Sequence, residues 1–312
     1  MPKPKPKRPA AESARTSPAA RRAELYALLG DLPDPPSRVP ARRLAREEHE
    51  HYVLDRLILA PAGGQRIPAL LLTPRVGAAP RPAVLFNHAH GSSKSELVDE
   101  QRGRQTPPYG EALARRGIAS LCIDQRIFGE RRGLPESMVF KEALWRGQVL
   151  WGQMVWDNLR ALQFLSDLPG IDADRIATLG LSMGATMAWW TAALDVRVRV
   201  CVDLCCMTDF AELIANQALD EHGLYYYVPG LLKRFDSAGI NALVAPRAHL
   251  SLNGEADPLT PPRGLDRIDR ALRAVYRAAG RPEAWRMYRA GHGHFETAEM
   301  RHEALAWLDR WL

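Results

Sequence analysis

The 312-residue sequence has no long apolar run: nothing in it approaches the ~18 consecutive apolar residues that a membrane-spanning helix requires. Its amino terminus lacks the apolar stretch of a signal peptide, so secretion is not expected. Cysteine is scarce. Cys122, Cys201, Cys205 and Cys206 have no metal-ligand spacing, and three of them crowd one apolar segment, which fits reduced, buried thiols in a cytoplasmic protein. An excess of charge is also missing from most of the chain, despite a formal net charge of +6. Residues 1–22 hold seven basic side chains against Glu12, so the rest of the chain carries acidic and basic residues in equal number. No basic face for nucleic acid is implied. Residues 1–22, rich in Lys, Pro and Ala, read as a disordered, solvated tail with nothing to bury.

What remains, residues 23–312, reads as one domain. A hydrophobic fraction of 46% supports a substantial core. Arg21 to Leu29 reads as a short helix. His51 to Leu59 and Ile67 to Leu72 then form a hairpin around Gly63-Gly64. Short apolar strands follow at Ala83–Phe86, Ile118–Ile123, Arg175–Leu181, Val198–Val202, Ala248–Leu252 and Ala284–Tyr288. Helical stretches alternate with them: Gly110–Arg116, Ala143–Leu168, Ala185–Leu194, Phe210–Leu219, Arg263–Ala279 and Ala298–Leu312. This alternation predicts a mostly parallel, doubly wound α/β sheet with crossover helices, preceded by an antiparallel hairpin. Residues 204–245 are too long for a plain connection and carry Tyr225-Tyr226-Tyr227, so they read as a lid whose aromatics wall a pocket. The helix from Ala143 to Leu168 includes Trp145, Trp151 and Trp156; it packs on the sheet with its first turns, Trp151 included, near the pocket.

One stretch carries chemistry. Gly180-Leu-Ser182-Met-Gly184 matches G-x-S-x-G between an apolar strand and a helix, the context in which a serine occupies a sharp, strained turn. Glycine at both flanks lets neighbouring backbone approach. A serine hydroxyl needs a base within hydrogen-bond reach and an acid to orient that base. In hydrolases with this turn the chain order is serine, acid, histidine. Asp257, in the loop after Leu252, is the acid by position; Glu255 is less well placed, and Asp203 after another strand is the runner-up. Two histidines, His292 and His294, follow the last strand, and spacing alone does not choose between them. The negative charge of an acyl-transfer transition state needs backbone donors. One is the N–H of Met183; the other should come from the loop Asn87-His88-Ala89-His90-Gly91-Ser92-Ser93-Lys94. His88 and His90 form an H-x-H pair, but no third ligand stands near them in sequence, so no metal is expected.

Together with Leu28–Pro33, His88–Lys94, Asp124–Arg131, Val155–Arg160, Pro229–Asp236 and Leu243–Arg247, these motifs resemble the α/β-hydrolase superfamily. More narrowly, they resemble its dienelactone-hydrolase-like and acetyl-xylan-esterase-like branch, over nearly the whole chain from about Leu28. The resemblance implies Ser182 as nucleophile, Asp257 as acid and His294 as base, since Gly293-His294-Phe-Glu-Thr297-Ala-Glu299-Met300 fits the family's pattern and His292 does not. It also implies an oxyanion hole of the His90 and Met183 amides. The chain departs from relatives at Ala89 and Ser92, where they have glycine. Ser182 also stands where the enzymes acting on dienelactone itself have cysteine.

The expected function is a cytoplasmic serine hydrolase of small carboxylic esters, using no cofactor. His88, Trp151, Tyr225, Tyr226 and Tyr227 are candidates to line its pocket. Its partner is a small ester, neither nucleic acid nor membrane, and the sequence leaves the oligomeric state open, a homodimer included. The same triad would also serve amide or carbon–carbon bond cleavage, and a hydrolase scaffold without turnover would serve as a binding protein.

Overall fold

The computed structural model describes residues 17–34, 37–59, 66–99 and 105–312. Most of the basic tail and the Gly63-Gly64 turn lie outside them. Among the described residues, nine strands form one sheet in the order β1-β2-β3-β5-β4-β6-β7-β8-β9. They are β1 (Ala41–Glu48), β2 (Tyr52–Leu59), β3 (Ile67–Pro74), β4 (Arg81–Asn87), β5 (Ala119–Ile123), β6 (Ile171–Leu181), β7 (Val198–Leu204), β8 (Ala248–Gly254) and β9 (Trp285–Ala290). β1 to β3 pair antiparallel, and β3 meets β5 antiparallel. From β5 onward every pairing is parallel. The sheet is that of an α/β-hydrolase fold. Among the described residues no helix is long and apolar enough to cross a membrane.

Among the described residues, nine α-helices surround it: α1 (Pro18–Ala27), α2 (Tyr109–Ala114), α3 (Glu136–Trp145), α4 (Leu150–Ser166), α5 (Met183–Leu194), α6 (Phe210–Ala215), α7 (Ser237–Asn241), α8 (Pro262–Ala278) and α9 (Ala298–Trp311). Parallel strands must bury both faces, and they do. Leu159 and Leu162 of α4, Trp190 of α5 and Leu272 of α8 belong to the core on one face. Leu113 of α2 and Leu305 and Leu308 of α9 belong to the core on the other.

The structure corrects three sequence expectations. The first helix begins at Pro18, with the Ser17 hydroxyl accepting from the Ala20 N–H at 3.2 Å, so residues 18–22 are helical rather than tail. Pro at the first helical position and Ser before it favour that start. Strand β1 has no apolar alternation to announce it. It is an edge strand of charged, exposed side chains, held by ladder bonds and by pairs such as Arg46 with Asp55 at 2.7 Å. The predicted helix over 143–168 is two, α3 and α4, with Gly147 between them at φ +69°. Trp145 ends the first of the two and is 95% exposed.

Gly152 lies inside α4 where the helix passes Leu29, just beyond the end of α1. A Cβ there would stand 2.0 Å from the Leu29 carbonyl oxygen. Alanine is the better helix former by roughly 1 kcal/mol, but overlap with backbone outweighs it. Gly152→Ala is therefore expected to lower the unfolding free energy by roughly 1–3 kcal/mol in urea denaturation. A gain in stability would show that the approach relaxes without cost.

Candidate active site

The site stands at the carboxyl ends of the parallel strands, where doubly wound sheets place their ligands. At the end of β6, Ser182 has φ +58° and ψ −119°, a conformation that a non-glycine residue adopts only under strain. Surrounding bonds hold it: the Ser182 N–H donates to the Leu204 carbonyl at 2.9 Å, and the Thr186 N–H donates to the Ser182 carbonyl at 3.1 Å. Both flanking glycines are required. A Cβ on Gly184 would stand 2.0 Å from the Asn87 carbonyl oxygen, and one on Gly180 would stand 2.3 Å from the Gly184 backbone. The turn therefore packs against the end of β4 with no space for a side chain.

His294 follows β9 and Asp257 follows β8. The His294 Nε2 lies 2.8 Å from the Ser182 Oγ, and its Nδ1 lies 2.7 Å from the Asp257 Oδ2. Asp257 is buried, and its other oxygen accepts the Leu259 N–H at 2.9 Å. A carboxylate only accepts, so Nδ1 carries the proton toward Asp257 and Nε2 is free to accept from the serine hydroxyl. His292 stands elsewhere: its Nδ1 contacts the Gly293 carbonyl and its ring packs on Phe295. The runner-up acid is also placed elsewhere. Asp203 is fully buried on β7, where it accepts from His249 and Ser251 of β8, both at 2.7 Å.

The loop after β4 is held by carboxylates that the sequence reading did not single out as site residues. Glu96 accepts the Ala89 N–H at 2.9 Å, and Asp124 accepts both the Lys94 N–H and its ammonium at 2.8 Å. His88 does not line the pocket. It is buried, its Nε2 accepts the Gln125 N–H at 3.0 Å, and its Nδ1 donates to the Ala89 carbonyl at 2.9 Å. Burial pushes its pKa down, which keeps it neutral. Ala89, one of the departures from the resembling family, is thus fixed on both sides.

A cavity of about 440 Å³ opens over Ser182, within the usual size of small-molecule sites. His90, Met183, Tyr225, Tyr226, His294 and Phe295 help to line it. Met183 is the first residue of α5, so its N–H has no acceptor within the helix. Tyr225 shares a hydrogen bond of 3.1 Å with the His90 Nδ1, and its N–H donates to Glu136 at 2.8 Å. Besides His88, two more expected wall residues are displaced. Trp151 is fully buried behind Tyr225, stacked on it at 5.9 Å, because α4 starts at Leu150 and turns that ring inward. Tyr227 points its hydroxyl at the Leu219 carbonyl and lines a separate groove. The wall also includes His222 and Cys206, which lie in connections without periodicity and had no sequence signal.

Among the described residues, one trio of His, Cys and acidic side chains gathers its potential metal-ligand atoms within 4.8 Å: Cys201, Asp203 and His249, all buried. Asp203 already binds His249 and Ser251, so this is a hydrogen-bonded network joining β7 to β8. All four cysteines are free and buried.

Fold and site define an α/β-hydrolase. The acetyl xylan esterase family profile matches residues 46–239, and the chain belongs to that family. It is 47% identical over 299 residues to YtaP of Bacillus subtilis (strain 168), which bears the name of a hydrolase; the match covers 94% of this chain and 99% of that one. Among solved structures, a Bacteroides fragilis NCTC 9343 protein bearing the name of an acetyl xylan esterase superposes with a TM-score of 0.70 at 20% identity, covering 87% of this chain and 74% of that one. The glucuronoyl esterase from Solibacter usitatus gives 0.68 at 16% identity over 92% and 91%. At such identities these two likenesses speak for the fold.

His222 supplies a test of the pocket's electrostatics. Burial pushes its pKa down to about 4, with the nearby His294 adding to the effect. In the unfolded chain it takes a proton below about pH 6.5, while in the fold it resists until about 4. The unfolded state therefore binds more protons across that window, and stability falls as pH drops through it. His222→Phe is expected to flatten the loss of stability between pH 7 and 4 by up to roughly 3 kcal/mol, read by urea denaturation at each pH. An unchanged slope would place that imidazole in water.

Proposed function

We propose that this chain is a serine hydrolase of small, uncharged carboxylic esters. The observation that carries the reading is the continuous chain of Ser182, His294 and Asp257 through bonds of 2.8 and 2.7 Å, opening on one cavity. Family membership supports ester hydrolysis as the reaction.

In the proposed mechanism the Ser182 oxygen attacks the ester carbonyl while His294 Nε2 takes its proton. The carbonyl electron pair moves onto oxygen, and the His90 and Met183 amides receive that charge. Asp257, facing Nδ1, stabilises the imidazolium and holds its orientation. Collapse of the tetrahedral species breaks the bond to the alcohol, which leaves with the proton from His294. Water then attacks the acyl-enzyme, giving its proton to the same nitrogen, and the acid departs as Ser182 recovers its hydrogen.

The cavity wall favours an uncharged substrate. No lysine or arginine is among its described lining residues, whereas Glu221 is. A substrate anion would meet no cation there. Aromatic walls suit a small acyl group with an apolar or aromatic alcohol.

The test is labelling by a fluorophosphonate probe with p-nitrophenyl acetate turnover read alongside. Ser182→Ala and His294→Ala are expected to lose labelling and to lower kcat by at least about 10⁴-fold, while His292→Ala keeps both. Loss at His292 instead would move the base by two residues. A folded parent protein that neither labels nor turns over ester would end the hydrolase reading and favour a binding role for the scaffold.

A further inference from the structure

Tyr226 borders two cavities. One is the catalytic cavity of about 440 Å³. The other is a groove of about 430 Å³ formed by α6 and the turns after it, lined by Phe210, Leu213, Ile214, Leu219, Leu231 and Leu232 together with Tyr227 and Lys233. The groove is apolar yet open to water: Ile214 is 51% and Leu232 47% exposed. Exposed apolar concavities of this kind mark places where an apolar group can be taken out of water. Nothing in the proposed reaction uses this one, because the Tyr226 ring stands between it and Ser182.

That ring is firmly held. It stacks on His222 at 4.6 Å and 12°, meets Phe210 edge-on at 5.5 Å and meets Trp151 edge-on at 6.2 Å. Its side chain is 8% exposed. A ring packed on three sides does not swing away at the cost of one contact, so it acts as a fixed wall rather than a door.

We propose that Tyr226 is the residue that sets the size of ester this protein accepts, by walling the catalytic cavity off from an apolar groove that would otherwise receive a long aliphatic substituent. The proposal rests on the esterase reading. With the wall in place, a short group fits beside Ser182 and a long one meets the phenol ring. With the wall removed, each methylene that passes into the groove leaves water and gains roughly fourfold in binding. Substrate length is then limited by one side chain rather than by the cavity as a whole.

The experiment measures kcat/KM for p-nitrophenyl esters from acetate to decanoate and for alkyl acetates of matching length. The proteins are the parent, Tyr226→Ala, Tyr226→Leu and Tyr226→Ala combined with Ile214→Glu. The parent is expected to prefer two to four carbons. In Tyr226→Ala the ratio of eight-carbon to two-carbon kcat/KM should rise at least about tenfold in one of the two series, with Tyr226→Leu intermediate, and adding Ile214→Glu should cancel the gain. Fluorophosphonate labelling reports that each variant is folded and has its triad assembled; Tyr226→Leu keeps apolar bulk in the wall should the alanine variant fail to fold. Labelled variants with an unchanged length ratio in both series, or a gain that survives Ile214→Glu, would overturn the proposal. A parent that neither labels nor hydrolyses acetate would instead overturn the esterase reading on which it rests.

Discussion

The close passage of two backbones at the end of β4 governs the rest of the site. Asn87 and His88 lie against Gly180 and Gly184 at distances that leave no room for a Cβ. Ser182 is held at φ +58° in the turn between those glycines. The strain of that conformation is local, and many ordinary interactions oppose its release. The parallel ladder from β4 to β6 fixes one side, and the buried start of α5 fixes the other. One contact thus serves two purposes: it lifts the serine out of the sheet edge and brings the loop after β4 beside the Met183 amide.

The two residues hydrogen-bonded in series to Ser182, His294 and Asp257, come from the same geometry applied twice more. β8 and β9 lie beyond β7 in the sheet order, and each ends in a loop at the same edge. Asp257 and His294 are separated by 37 residues in sequence, yet their side chains meet at 2.7 Å because their strands are hydrogen-bonded neighbours. A buried polar network below them, Asp203 with His249 and Ser251, ties β7 to β8. Its buried carboxyl is tolerable because both of its oxygens are hydrogen-bonded. The geometry of the Ser182–His294–Asp257 chain is largely a property of strand order.

What the sequence made legible follows from that. The elbow is local: strand, glycine, serine, glycine and helix occupy adjacent positions, so Ser182 could be read from a short window. Asp257 and His294 could be read by chain order and resemblance, because a loop after a strand in a parallel sheet has one destination. Parts that depend on side chains meeting across the fold were not legible. Trp151 and Tyr225 are 74 residues apart, and only the three-dimensional packing puts one behind the other. His88 looked available for the pocket, but its ring nitrogens are engaged by Ala89 and Gln125. Strand β1 carries charges where an alternating pattern was sought, and Gly147 breaks what reads as one helix because a single left-handed residue is invisible to periodicity.

Three histidines, His88 behind the cavity and His222 and His294 in its wall, show how environment, rather than residue type, assigns a role. His88 and His222 are both pushed toward neutrality by burial. Among the described residues neither has a carboxylate in hydrogen-bond contact, so taking up a proton would leave charge in a poorly solvated place. His294 differs in one respect that matters: Asp257 faces one nitrogen while Ser182 faces the other. In the proposed mechanism a proton that leaves the serine therefore arrives on a ring whose new charge already has a partner, and the neutral His222 imidazole nearby adds no repulsion to oppose it. The same burial that makes His222 resist protonation also seats it against Tyr226. The electrostatic quiet of the cavity and the fixity of its wall thus have a common origin in the packing of residues 219–228 against α3, α4 and α6.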